Sequence, residues 1–304
     1  MAENTTPKLT QIIDAYAPPQ IAAKIDDVAR VKAELGFVKT FILSILAGVY
    51  LGLGAQFATL VVSDSSLHFG LTSIITGVVF STGFMLVVIA GSELFTGNNL
   101  MIMGYIGGRI TRHELLNNWV IVYIGNFVGS LTMVLWMYHT HQWEFFHDMV
   151  GAKALLIADK KVSLSFKEAL ARGVLCNSMV CLATWLCYSS RSVADKIVSI
   201  VFPIGGFVAS GFEHCIANMY FIPMGVVLRK NPEVVAAAEK MTGKTLDLSH
   251  LTWKGFFLNN LIPVTLGNIV GGVILVGVVF WFIYLRPQIN LSFSVKQDFF
   301  RDNK

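Results

Sequence analysis

Ser210-Gly211-Phe212-Glu213-His214-Cys215-Ile216-Ala217-Asn218 puts a carboxylate and an imidazole in the middle of a segment that otherwise reads as membrane-spanning. No charge occurs from Ile197 to Phe212, and none from Cys215 to Leu228. An acidic side chain at that depth costs about 2.5–3.5 kcal/mol on insertion scales, so its presence points to a purpose. The same device interrupts an earlier apolar run, Leu71 to Gly108, at Gly91-Ser92-Glu93-Leu94-Phe95-Thr96-Gly97-Asn98. Both breaks read Gly-x-Glu-x-x-x-x-Asn. Gly91, Glu93 and Asn98 correspond to Gly211, Glu213 and Asn218 at a constant offset of 120. Two interrupted helices in two halves of a membrane protein point to a translocation site where the half-helix ends meet.

Composition sets the class. The chain has 304 residues, 54% of them hydrophobic and 14% charged, with a mean hydropathy of +0.63. Several apolar runs are too long for soluble core helices, which makes this an integral membrane protein. The net charge of +4 is spread over loops and tails without a basic block, which excludes nucleic acid as a partner. Cys176, Cys181, Cys187 and Cys215 fall inside apolar segments with no metal or redox spacing, and no cofactor is expected. The first forty residues show no apolar signal-peptide core.

The expected organisation is a cytoplasmic tail with an amphipathic helix (1–36), a transmembrane channel domain (37–285) and a cytoplasmic C-terminal tail (286–304). Residues 1–19 read as tail. From Gln20, Ile21, Ile25, Val28 and Leu35 recur at helical spacing, which predicts an interfacial anchor rather than a gate over the pore mouth. Spans are expected at Thr40–Val62, Leu71–Ala90 resuming near Asn98, Asn117–Met137, Ala169–Tyr188, a second broken span around His214, and Asn260–Tyr284. Tyr138 to Phe166 reads as a polar connection, and Asn231 to Trp253 as a polar insertion. His139 and His141 form a His-x-His pair without further ligands at metal spacing.

The third and sixth spans also repeat. Asn117-Asn118, Gly125-Asn126 and Gly129 answer Asn259-Asn260, Gly267-Asn268 and Gly271 at an offset of 142. A weaker echo sets Phe41 and Gly48-Val49 against Phe166 and Gly173-Val174. The repeats span about 37–137 and 166–285. Three spans per repeat is an odd number, so the second copy enters the membrane upside down. The fold class is therefore all-α, six transmembrane helices in two inverted three-helix repeats with the second and fifth interrupted. The Lys and Arg bias favours a multi-pass protein of the inner, cytoplasmic membrane with both termini cytoplasmic.

At the breaks, Ser210 and Glu213 stand at capping-box spacing, so Glu213, and Glu93 by symmetry, are expected to act structurally rather than as ligands. Gly91, Asn98, Gly211 and Asn218 complete that structural set. His214 is expected to line the path, with Thr96 as its partner. Asn126, Asn177 and Asn268 read as interhelical hydrogen-bonding residues. Phe80, Phe84, Leu94, Phe95, Phe207 and Phe212 flank the breaks and can form dry constrictions.

Taken together these stretches, with Leu175-Cys-Asn-Ser-Met-Val-Cys-Leu182 and Asn260-Leu-Ile-Pro-Val-Thr-Leu-Gly-Asn268, resemble the formate/nitrite transporter family from about residue 37 to 285. The resemblance implies an aquaporin-like fold, a homopentamer with one pore per subunit, and passage of a small monovalent anion across the bilayer. Formate is the expected substrate, carried passively or coupled to a proton, with nitrite and hydrosulfide as alternatives. It further implies that His214 is the central pore histidine, Thr96 the residue bonded to it, and Asn177 a neighbour of the central site. Phe84, Leu94 and Phe207 would form the hydrophobic slits, and Lys161 would stand in the outer vestibule. Two other classes compete. A neutral-solute aquaporin-type pore would need paired Asn-Pro-Ala turns, whereas the chain has only Asn231-Pro232-Glu233. An enzyme would need a nucleophile, base and orienting group within the membrane segments, and no such set is present.

Overall fold

The computed structural model describes residues 15–64 and 66–286; the first fourteen residues of the expected N-terminal segment and the expected C-terminal tail from 287 lie outside the described residues. Among the described residues the chain is all-helical. α1 (Pro18–Ala33) leads into α2 (Phe37–Ser63) and α3 (Phe69–Ile89). After the first break come α4 (Phe95–Asn98) and α5 (Ile102–Ile106), joined by a 3₁₀ turn, then α6 (Arg112–His139). α7 (Met149–Val162), α8 (Phe166–Ser189) and α9 (Val193–Ala209) precede the second break. α10 (Cys215–Leu228), α11 (Pro232–Thr242) and the long α12 (Trp253–Tyr284) complete the order. Among the described residues five helices (α2, α3, α6, α8 and α12) are long and apolar enough to cross a membrane, and α10 is a shorter apolar helix.

Several boundaries differ from the sequence expectations. Pro18-Pro19 does not close a tail but opens α1, because a proline in the first turn gives up an N–H that would be unpaired anyway. α6 starts at Arg112, ahead of Asn117, since Thr111 and Glu114 form a capping box there. The polar connection from 138 to 166 contains a buried helix: Val150, Ala152, Leu155, Ala158 and Val162 of α7 lie at the core. Its lysines and aspartate masked an apolar stripe of helical period. The insertion from 231 to 253 likewise contains α11, capped by Asn231.

α1 is not a free interfacial anchor. Ile21, Ala22 and Ile25 are buried in a cluster with Leu100, Met103, Trp185 and Val276, so protein rather than lipid covers the apolar stripe. An amphipathic pattern does not distinguish those two partners. Asp26 accepts from Arg109 Nε at 2.7 Å, and Tyr16 donates its backbone N–H to Ser189.

Small residues set the helix approach. A side chain at Gly129 would run into the Ile45 carbonyl, and one at Gly271 into the Val174 carbonyl. At Gly125 it would meet Ser44 and the Phe41 carbonyl, and at Gly267 the Leu170 carbonyl. These twin contacts correct the register of the weaker echo. Phe41 pairs with Leu170 and Ile45 with Val174, an offset of 129 rather than 125. The error is one helical turn, within which glycine-rich faces look alike.

Candidate functional site

The two breaks share one backbone design. α3 is followed by its C-cap Ala90 and α9 by its C-cap Ser210, both in αR geometry, and the chain then passes through Gly91 at φ +81° and Gly211 at φ +68°. That left-handed region is why glycine stands at both places. Ser92 N–H returns to the Val87 carbonyl, and Phe212 N–H to that of Phe207. The chain is then extended at Leu94 (φ −113°, ψ 124°) and at His214 (φ −109°, ψ 116°) before each half-helix restarts.

A break inside a bilayer needs partners for its backbone groups, because no water is there to supply them. Two buried asparagines provide them. Asn126 accepts from Phe95 N–H and donates to the carbonyls of Ser44 and Glu93, at 2.8–3.0 Å. Asn268 accepts from Cys215 N–H and donates to the carbonyls of Gly173 and Glu213, over the same distances.

The carboxylates do not cap the restarts. Ser210 is the last residue of α9's turn, so the capping-box expectation for Ser210 and Glu213 fails, and His214 holds the N-cap position. Glu213 instead accepts from Lys161 Nζ at 2.9 Å, Asn218 Nδ2 at 2.7 Å and Asn260 Nδ2 at 3.2 Å. Glu93 accepts from Lys32 Nζ and Asn98 Nδ2, each at 2.6 Å. Asn98 also donates to Asn118, as Asn218 does to Asn260. Each buried carboxylate thus carries its own ammonium partner and its own asparagine, which offsets part of the cost of burying it.

Lys32 was not read from the sequence as a site residue. Its signal was present: Lys32-Ala-Glu-Leu-Gly-Phe37 and Lys161-Val-Ser-Leu-Ser-Phe166 share Lys-x-x-Leu-x-Phe at the same offset of 129.

At the centre, Thr96 Oγ1 and His214 Nε2 are 2.9 Å apart and both residues are buried. His214 Nδ1 accepts the Ala217 N–H at 3.1 Å. A nitrogen that accepts carries no proton, so the neutral ring holds its proton on Nε2 and donates it to Thr96. Thr96 still has its own O–H to offer. Phe207 lies nearly parallel to the imidazole, with centroids 6.0 Å apart and planes 16° apart.

A cavity of about 810 Å³ opens on the α1 side, and Phe84, Leu94 and Glu93 stand in its wall. Lys24, Lys32, Arg191 and Lys196 also line it, so cations outnumber the carboxylate and the mouth favours anions. Phe84, Leu94 and Phe207 are each buried to within 3% of full enclosure. Asn177 is also buried, but its amide joins helices: Nδ2 donates to Asn99 Oδ1 and to the Asn268 carbonyl, both at 2.8 Å. The structure therefore brings His214 and Thr96 together and puts Phe207 beside them, places Phe84 and Leu94 at the cavity wall, and holds Lys161 on Glu213.

The formate/nitrite transporter family model matches residues 19–282. The chain belongs to the formate/nitrite transporter family. Within it, the chain is 42% identical to "Formate channel FocA" of Escherichia coli (strain K12) over 278 residues, 90% of this chain and 96% of that protein. Identity to "Formate channel FocA" of Haemophilus influenzae is 41%, covering 87% and 93% respectively. A solved structure described as "Pentameric formate channel with formate bound" superposes with a TM-score of 0.73 at 38% identity, covering 82% of this chain and 98% of that one. These family relatives are channels and transporters rather than enzymes.

Proposed function

We propose that this formate/nitrite transporter family member passes formate across the cytoplasmic membrane, through a pore centred on His214 and Thr96. The observation that carries the reading is the Thr96–His214 hydrogen bond, which joins the restart of one broken helix to the restart of the other beside a cation-lined cavity. The relatives described as formate channels support the choice of anion, and the pentameric neighbour supports a homopentamer. Exposed apolar residues such as Phe69, Ile74 and Phe202 are available to face lipid or neighbouring subunits. The repeated contacts support six spans in two inverted, aquaporin-like halves. The matching Lys–Glu pairs extend each half to include its amphipathic helix, α1 in one and α7 in the other. Both termini are taken as cytoplasmic, on the α1 side.

Formate gathers at the basic mouth, sheds water at Phe84 and Leu94, and accepts a hydrogen bond at the centre from the Thr96 hydroxyl, whose oxygen is held by the His214 Nε2–H. Phe207 and Phe80 border the way on, toward Lys161. A dry wall raises the cost of moving a charge, and donors fixed beside it offset part of that cost. The imidazole acts as a neutral donor while Nδ1 stays on Ala217. To become imidazolium, the ring would have to release that N–H.

Flux measurements in proteoliposomes with formate, nitrite, hydrosulfide and acetate at two pH values test the substrate. His214→Phe tests the centre, and its expected result is loss of pH-dependent formate flux with the pentamer intact. Wild-type flux and pH response in His214→Phe would remove the histidine from the mechanism.

A further inference from the structure

Lys161 has a second contact beyond its carboxylate. Its Nζ lies 5.3 Å from the centroid of the Phe221 ring, within the distance of about 6 Å at which an aromatic face attracts a cation. Phe221 stacks on Phe80 with centroids 6.5 Å apart and planes 15° apart, and Phe80 meets Phe207 edge-on at 5.8 Å. Since Phe207 lies against His214, an unbroken aromatic line joins the Lys161 ammonium to the central imidazole. The repeat offset of 120 gives Phe221 the counterpart Met101, which lines the cavity with Lys32. A thioether offers no aromatic face. The two Lys–Glu pairs therefore match in charge and differ in what else holds the ammonium.

We propose that Phe221 is a positioning residue for formate at the Lys161 mouth. The proposal rests on the formate reading above. An arriving carboxylate competes with Glu213 for one ammonium on a flexible four-carbon stem. With the ring beneath it, the ammonium keeps its place while its N–H groups are shared between Glu213 and the incoming anion. Without the ring, the stem follows Glu213, and formate meets a lysine already engaged. The Lys161 side chain is only 15% exposed, so the ring contact is little screened by water. The consequence is a directional difference: formate entering past Lys161 depends on an aromatic face, and formate entering past Lys32 does not.

The test is initial formate flux against concentration in right-side-out and inverted vesicles, for wild type, Phe221→Met and Phe221→Tyr. Phe221→Met installs the residue that the other half carries at this position, and Phe221→Tyr keeps the aromatic face. Phe221→Met should raise the half-saturating formate concentration at the Lys161 mouth by about twofold to thirtyfold, the range cation–π contacts span from exposed to desolvated sites. The maximal rate, and half-saturation at the Lys32 mouth, should stay at wild-type values, and Phe221→Tyr should restore the lost affinity. In a Lys161→Met/Glu213→Gln background, which leaves no orphaned carboxylate, Phe221→Met should add nothing. An equal rise at both mouths, a Phe221→Tyr variant as impaired as Phe221→Met, or an undiminished effect without Lys161 would each overturn the proposal. Wild-type flux with an unaltered Phe221→Met overturns the role of Phe221 alone, whereas wild-type vesicles that pass no formate overturn the functional reading as well.

Discussion

Replacing Asn268 with leucine removes a side chain of similar size and, with it, three hydrogen bonds at the second break. Cys215 N–H loses its acceptor, and the Gly173 and Glu213 carbonyls lose their donor. In water-based proteins each orphaned buried group costs about 1–3 kcal/mol; the Gly173 carbonyl keeps its helical N–H partner, so the two orphaned groups sum to about 2–6 kcal/mol. Within a bilayer the unfolded reference also finds partners, and measured interhelical bonds average about 0.6 kcal/mol, which lowers the sum to about 2 kcal/mol. Leucine recovers little, because lipid is as apolar as the site it would fill. Asn126→Leu removes the same three contacts at the first break and should cost the same. Asn231→Ala removes an exposed helix cap and supplies the control at about 1 kcal/mol. For a chain of this size, 1 kcal/mol shifts the midpoint by about 2–4 °C, so even the low estimate for Asn268→Leu gives about 4–8 °C. Thermal unfolding of the detergent-solubilised protein, followed by pentamer elution, reads the difference. An Asn268→Leu variant that melts with the Asn231→Ala control, or a severalfold gap between the two asparagine variants, would refute the account of how the breaks are held.

Two further outcomes follow from the same geometry. Lys161→Met leaves Glu213 buried without its cation and should cost about 3–5 kcal/mol; adding Glu213→Gln should recover most of the thermal stability while the half-saturating formate concentration at the Lys161 mouth stays raised, and a double variant as unstable as the single one would contradict this. Gly129→Ala and Gly271→Ala drive a methyl into the Ile45 and Val174 carbonyls and should abolish folded pentamer, whereas Gly70→Ala, with open space around it, should elute and melt as wild type.

The sequence made the breaks legible because a carboxylate, a glycine with a forced conformation and an asparagine at fixed spacing leave few alternatives inside an apolar run. It also showed Asn126 and Asn268 as twins, since their glycine-flanked surroundings repeat at one offset. What faces the carboxylates was not legible in the same way. Lys32 lies 61 residues from Glu93 and Lys161 lies 52 from Glu213, on helices whose mixed composition read as anchor and as loop. The shared Lys-x-x-Leu-x-Phe pattern sits at their ends, outside the segments that hydropathy singles out. The docking of α1 was hidden for a different reason: its stripe of Ile21, Ala22 and Ile25 fits lipid and protein equally well.

The repeat also separates support from mechanism. Gly91, Glu93, Asn98, Asn126 and Lys32 all recur in the second half as Gly211, Glu213, Asn218, Asn268 and Lys161, and each of these residues shapes or satisfies a break. The two residues that meet at the centre do not recur. At the offset of 120, His214 answers Leu94, and Thr96 answers Ile216. A perfectly symmetric centre would oppose two imidazoles or two apolar side chains, giving either competing donors or none. With Leu94 and His214 in nearly identical extended conformations, the same backbone presents an apolar side chain from one half and a proton donor from the other. On the route proposed above, an anion approaching from the α1 side meets the dry Leu94 before the hydrogen bond at Thr96 and His214. In this arrangement water is stripped first and replaced second, so an ion that cannot accept the donated proton gains nothing for the water it has lost.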